Sequence, residues 1–265
     1  ATVMGITIGL TKSMWIHASI AEVYSLWMFL LLLALYLALK LEGDWSDKMG
    51  WLLALVVGLG CAHHRLFVPM ILVLAVWLWR QISRSTNPIR WGVIAIAMFG
   101  AGFLPYVDLV RRATSGSHWI YGDPSTWEGF WSIFWAKEYS GLQVLPVDVH
   151  EFVSAAYEFI YIIKEEFLWP GLLCAIFGLP FAVIRPFQRK VWLFVATGIA
   201  YFLFLLSLPY VILFEQASMV IVSSFLIASA VGIVRICNRL KYMNIIVVTG
   251  MIFVSFWFIV VNRPL

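Results

Sequence analysis

Charge is scarce in this 265-residue sequence. Asp, Glu, Lys and Arg together make up 12% of it, about half the share of an ordinary soluble domain, which excludes a surface turned wholly to water. Cysteine is scarce too. Cys61, Cys174 and Cys237 lie in or at the ends of apolar segments and show neither CxxC nor metal-ligand spacing, so they read as packing residues. No GxSxG, HExxH, Walker A or GxGxxG pattern stands in a usable context, which sets aside the chemistries those motifs mark. The apolar runs also lack the in/out alternation of an outer-membrane barrel.

What the chain has in excess is apolar length. It is 63% hydrophobic with a mean hydropathy of +0.92, and several runs approach the roughly 20 helical residues that cross a hydrocarbon core. Such segments fall at about 1–14, 21–39, 50–61, 66–79, 91–110, 168–184, 191–213, 217–234 and 243–262. They predict an all-α, polytopic transmembrane helix bundle of about 8–9 membrane segments, some short, with an extracytoplasmic amphipathic-helix loop. Three regions follow: N-terminal membrane helices over 1–110, the loop over 111–167, and C-terminal membrane helices over 168–265. The chain opens inside a run that reads as the latter part of a membrane helix, with no charged n-region or cleavage site before it. That is not a signal peptide, and the first helix or helices are expected to be missing.

Basic residues orient the bundle. Arg80, Arg84 and Arg90 occupy one connection, Arg185, Arg189 and Lys190 a second, and Arg235, Arg239 and Lys241 a third, whereas 208–217 has no Lys or Arg. Short basic loops stay cytoplasmic, and counting every segment as a crossing puts all three on one side. The 40–49 connection joins them, while 15–22, 61–65, 111–167, 208–217 and the C-terminus fall outside. The net charge of +4 therefore follows topology and does not point to nucleic acid. Fourteen tryptophans suit a protein with much surface at the lipid headgroups. The segments 50–61 and 66–79 are short for full crossings and are expected to be tilted or partly broken.

The 111–167 loop holds eight of the fourteen acidic residues, and it is patterned. In "STWEGFWSIFWAKEY", Trp127, Phe130, Trp131 and Phe134 recur at i, i+3, i+4, i+7, an aromatic stripe on one helix face that is expected at the membrane interface. A second helix is expected over roughly 149–167, with Glu151, Glu158 and Glu165 on a wet face.

Ionisable residues at membrane depth are costly and often functional. Glu22 opens the helix "AEVYSLWMFLLLLALYLAL", and a carboxylate there either stabilises the helix dipole or lines an outward cavity. Arg111 and Arg112 end an outer helix, where guanidinium groups either snorkel to headgroups or bind phosphate. Arg65, beside His63 and His64 in "AHHRLFVP", has the same two readings. Adjacent histidines without a third ligand make a poor zinc site, so no metal ligands are assigned here, and whether a divalent metal takes part is left open.

Four stretches, "MWIHASIAEVYSLWMFLLLLAL", "LLALVVGLGCAHHRLFVPMIL", "FLPYVDLVRRA" and "YGDPSTWEGFWSIFWAKEY", occur in this order. Together they resemble the bacterial membrane proteins related to protein O-mannosyltransferases, within the GT-C glycosyltransferase superfamily. The resemblance covers about 13–140, and "GDPSTWEGFW" and "AEVYS" are its most specific parts. It matches Glu22 and Tyr24 to an EVY motif, and His64 to a family histidine, with His63 where asparagine is usual. Arg112 matches an arginine preceding alanine, and Asp123, Trp127 and Glu128 match the loop motif.

The resemblance implies a bacterial cytoplasmic-membrane enzyme that moves a sugar from a polyprenyl-phosphate carrier to an acceptor on the extracytoplasmic side. Its partners are then membrane lipid and the polyprenyl-phosphate-linked sugar, with Glu22 the candidate catalytic base. His63, His64, Arg65, Arg112, Tyr24, Asp123 and Glu128 are the candidates for holding substrate or lipid phosphate. The family's acidic first-loop motif is expected to lie before Ala1. The alternative is therefore a catalytically inactive, glycosyltransferase-like accessory subunit of a larger membrane complex.

Overall fold

The computed structural model describes residues 23–116, 122–135, 189–206 and 214–239, with isolated positions among 5–16 and 137–180. The described residues are largely helical, and no strand occurs among them. Four helices are long and apolar enough to cross a membrane: Tyr24–Gly43, Arg65–Ile82, Pro88–Thr114 and Ala217–Val234. Length and composition thus make this a membrane protein built of helices. The expected membrane segments 1–14, 168–184 and 243–262 lie outside the described residues, isolated positions aside.

The chain divides into two compact units, one formed by 26–145 and the other by 1–25 with 146–265. In the second, α7 (Arg189–Leu206) packs along α8 (Phe214–Arg239). Val191 and Val195 meet Ala228 and Val231, and Gly198 lets Phe225 approach. Thr197 lies buried in α7 because its hydroxyl donates to the Leu193 carbonyl one turn back, at 2.7 Å.

The unit over 26–145 is built on α1 (Tyr24–Gly43), α2 (Asp47–His63), α3 (Val68–Ile82), α4 (Pro88–Ala101), α5 (Pro105–Thr114) and α6 (Trp127–Phe134). Helix α1 buries Trp27, Leu31, Ala34, Ala38 and Leu41 and leaves a stripe of Leu26, Phe29, Leu32 and Tyr36 exposed, as a lipid-facing helix does. Helices α2 and α4 touch through their backbones. A Cβ on Gly58 would stand 2.1 Å from the Phe99 carbonyl oxygen, and one on Gly102 2.4 Å from the Gly58 carbonyl carbon. Small residues permit this close approach between membrane helices.

Proline and side-chain caps set the helix starts. Asn87 accepts from the Arg90 N–H at 3.0 Å, and Pro88 opens α4 where no N–H is needed. Pro105 opens α5 after a turn closed by bonds from Phe103 N–H to Gly100 and from Leu104 N–H to Ala101. The two short apolar runs prove to be longer helices: α2 has 17 residues, about 25 Å at the helical rise, and the helical stretch from Arg65 continues to Ile82.

The connections at the two ends of this unit differ in kind. At one end the turn after α1 meets the turn before α4. Ser85 Oγ donates to Asp47 Oδ2 at 3.1 Å, the Trp45 indole donates to Asp47 Oδ1 at 2.7 Å, and the Trp45 and Trp91 rings lie 5.5 Å apart. This is the end that carries Lys40, Lys48, Arg84 and Arg90, so the connections 40–49 and 80–90 share one end, as alternate crossings of successive apolar segments predict. At the other end stand His63, His64, Arg65 and α6.

Candidate functional site

The stretch "GDPSTWEGFW" is a device for starting α6. Gly122 sits at φ +66°, a left-handed conformation that glycine adopts without a steric penalty. The Asp123 carboxylate then turns back on its own loop and accepts from the Ser125 backbone N–H at 3.2 Å and from the Ser125 hydroxyl. Thr126 is the N-cap, accepting from the Gly129 N–H at 3.0 Å while its hydroxyl donates to the Asp123 carbonyl at 3.1 Å. Gly129 must lack a side chain, since a Cβ there would stand 1.8 Å from the Asp123 carbonyl oxygen. Glu128 lies exposed in the first turn, where the helix dipole favours an acid.

Along α6 the predicted aromatic stripe splits into two edges. Phe130 and Phe134 pack on the bundle: the Tyr106 ring stands 6.2 Å from Phe130 and 5.4 Å from Phe134, and Phe103 is 5.6 Å from Phe134. Trp127 and Trp131 follow each other along the adjacent edge, 5.4 Å apart, and Trp127 is 79% exposed.

Arg65 closes the far end of this helix. Its guanidinium donates through Nη1 to the Trp135 carbonyl, and through Nη2 to the carbonyls of Phe134 and, at 3.5 Å, Ile133. These are the C-terminal carbonyls that an α-helix leaves without partners, and a cation is favoured there. Arg65 therefore spends its fork of donors on protein.

His64 is the extended residue between α2 and a 3₁₀ turn over Arg65–Phe67. Its N–H reaches the Gly60 carbonyl at 2.9 Å, its carbonyl accepts from Phe67 at 3.0 Å, and its Nδ1 accepts from the Leu66 N–H at 3.2 Å. An accepting Nδ1 is unprotonated, so the neutral ring carries its proton on Nε2. The ring lies 6.2 Å from that of Trp27. Burial, with His63 and Arg65 adding positive charge beside it, pushes the imidazole down to about 4. At neutral pH His64 can offer a hydrogen bond from Nε2 but no charge.

Arg111 and Arg112 share one carboxylate. Asp108 accepts from Arg111 Nε at 3.0 Å and Nη2 at 2.7 Å, and from Arg112 Nε at 2.6 Å. The cluster keeps one net positive charge on side chains 73% and 62% exposed. At 3.6 residues per turn, Asp108, Arg111 and Arg112 lie on the part of α5 turned away from Tyr106, which faces α6. No hydrogen bond or ion pair joins Arg112 to His64 or Arg65 among the described residues.

The candidates are thus distributed unequally. Arg65 is bonded to the C-terminal carbonyls of α6 and Tyr106 packs on its phenylalanines, while His63, the end of α2, and His64 precede Arg65 in the chain. Asp123 and Glu128 mark the other end of α6, Arg112 belongs to the Asp108 cluster, and Tyr24 lies in the first turn of α1. Glu22 is outside the described residues. Phe103, Tyr106, Thr126 and Gly129 hold α6 in place yet were not among the sequence candidates. The D-x-x-R-R spacing of 108–112, an i, i+3, i+4 pattern, is the signal that marks Asp108. Among the described residues no group of three or more His, Cys, Asp and Glu is placed to hold a metal ion.

No solved structure matches this chain. Residues 1–88 match the family profile described as the protein O-mannosyl-transferase TMEM260 N-terminal domain. Protein O-mannosyl-transferase TMEM260 of Mus musculus is 26% identical over 208 residues, covering 72% of this chain. The chain spans only 28% of that relative's length. By profile and by pairwise identity, this membrane protein is similar to a protein O-mannosyl-transferase.

Proposed function

We propose that the protein is a GT-C-type membrane glycosyltransferase, or the membrane core of one, acting with a polyprenyl-phosphate sugar at the extracytoplasmic face of a bacterial cytoplasmic membrane. The observation that carries this reading is the similarity to a protein O-mannosyl-transferase over 208 residues. In the reaction an acceptor hydroxyl oxygen attacks the anomeric carbon, and the bond from that carbon to the phosphate oxygen breaks. Polyprenyl phosphate leaves with the electron pair, and the hydroxyl proton passes to a carboxylate, for which Glu22 is the candidate. The chemistry needs donors aimed at the departing phosphate. The exposed guanidinium groups of Arg111 and Arg112 and the neutral Nε2–H of His64 are of the right type.

A second reading has its own support. Arg65 is committed to the α6 carbonyls and Asp123 to its own loop, so two charged candidates are occupied in holding the protein together. That suits a glycosyltransferase-like accessory subunit without activity of its own.

One assay separates the two. The protein in proteoliposomes is supplied with radiolabelled polyprenyl-phosphate mannose and its own membrane extract as acceptor. The enzyme reading expects transfer that Glu22→Gln abolishes and Arg112→Ala lowers by at least tenfold. Absence of transfer, with co-purification of other membrane subunits, establishes the accessory reading instead.

A further inference from the structure

The tryptophan edge of α6 is unlike its phenylalanine edge. Trp131 stands T-shaped to Trp127 at 5.4 Å and stacks on Trp135 at 6.2 Å and 18°, so three indoles run along the helix at i, i+4, i+8. The two outer ones are 79% and 61% exposed. The Phe130 and Phe134 edge is spent on Tyr106 and Phe103, and beyond the indoles come Glu128 and Ser132, on the side away from Phe130. Protein, indoles and polar residues thus follow one another around α6.

The height of this helix comes from Arg65. Arg65 is the first residue of a stretch able to span a membrane, and its guanidinium holds the carbonyls of Phe134 and Trp135. The C-terminus of α6 therefore lies within one side chain of the level at which that span begins. At this level a bilayer has headgroups, where indole places its ring between water and acyl chains and its N–H on a polar partner.

We propose that the Trp127–Trp131–Trp135 edge of α6 is a bilayer contact, seated in the phospholipid headgroup layer, with Arg65 setting its depth. This partner is the lipid itself and is independent of any catalytic role.

The test places nitroxide labels by Trp127→Cys, Trp135→Cys and, as a water-exposed reference in the turn between two spans, Thr86→Cys, in protein whose three cysteines are replaced by serine. In phosphatidylcholine nanodiscs, labels at 127 and 135 should collide severalfold less with a water-soluble nickel chelate than the label at 86. Equal accessibility at all three overturns the proposal. So does shielding accompanied by dipolar broadening between labels on two copies, which makes a second chain the occupant. The unlabelled protein provides a second measurement. Brominated phosphatidylcholine should quench its tryptophan emission, and the Trp127→Phe/Trp131→Phe/Trp135→Phe variant should lose part of that quenching. Undiminished quenching in the variant counts against the contact.

Discussion

The guanidinium of Arg65 donates to the main-chain carbonyls of Phe134 and Trp135, 69 and 70 positions further along the chain. One side chain at the start of a membrane helix thus supplies the cap that a helix of eight residues lacks in its own sequence. A helix that short is marginal by itself in water, and its persistence depends on that cap and on the ring contacts to Phe103 and Tyr106.

Arg65→Gln should therefore loosen α6 without unfolding the bundle. Charged hydrogen bonds contribute roughly 1.5–3 kcal/mol, so hydrogen exchange at the amides of 130–135 should accelerate by at least tenfold. Exchange in α2 and α4 should stay as it was. Lysine at 65 keeps the charge but lacks the fork, and should restore only part of the protection.

The opposite end of α6 makes a separate prediction. Thr126→Ala removes the N-cap and should cost about 1 kcal/mol. Gly129→Ala should cost more, because its Cβ would lie 1.8 Å from the Asp123 carbonyl oxygen and overpacking of this kind runs to roughly 1–3 kcal/mol. Limited proteolysis around 122–129 reads both, and Gly129→Ala should be cleaved faster. Equal rates for the two variants would remove the close-approach explanation.

Gly58 tests the helix contact at the centre of the unit. Gly58→Ala drives a methyl group against the Phe99 carbonyl and should lower the melting temperature in detergent. Gly92→Ala, whose Cβ meets nothing within 4 Å, should leave it unchanged or raise it slightly.

His64 makes stability depend on pH. Its folded-state value of about 4 lies below the ordinary 6.5, so the unfolded chain binds the proton more readily. The stabilisation is complete above about pH 6.5 and is lost as pH falls from there toward 4. His64→Asn keeps an acceptor for the Leu66 N–H but does not titrate. Denaturant unfolding of this variant between pH 4 and 6.5 should lack the His64 component of the slope. A slope equal to that of the parent protein would assign the pH dependence to other groups.

Composition and period carried the helical, membrane-spanning character of the chain. Apolar runs near membrane length predict helices whatever they pack against, because lipid leaves the backbone no partner but itself. The 3.6-residue spacing of Trp127, Phe130, Trp131 and Phe134 is a local property, so the helix there was legible. The alternation of crossings was legible in the same way, since successive apolar segments must reverse direction, and the structure brings 40–49 and 80–90 to one end.

Partnership was not legible. Nothing in "AHHRLFVP" shows that Arg65 grips a helix some seventy residues away, or that His64 turns Nδ1 onto its own chain and becomes a poor base. A guanidinium that binds phosphate and one that caps a helix are the same residue in a sequence, and only the atoms opposite them differ. The split of the aromatic stripe into a phenylalanine edge on Tyr106 and an exposed tryptophan edge was equally hidden, because periodicity places side chains on a face without saying what the face meets. Local chemistry therefore sufficed for the helices, while the uses of their polar ends were decided by contacts that form only when distant segments fold together.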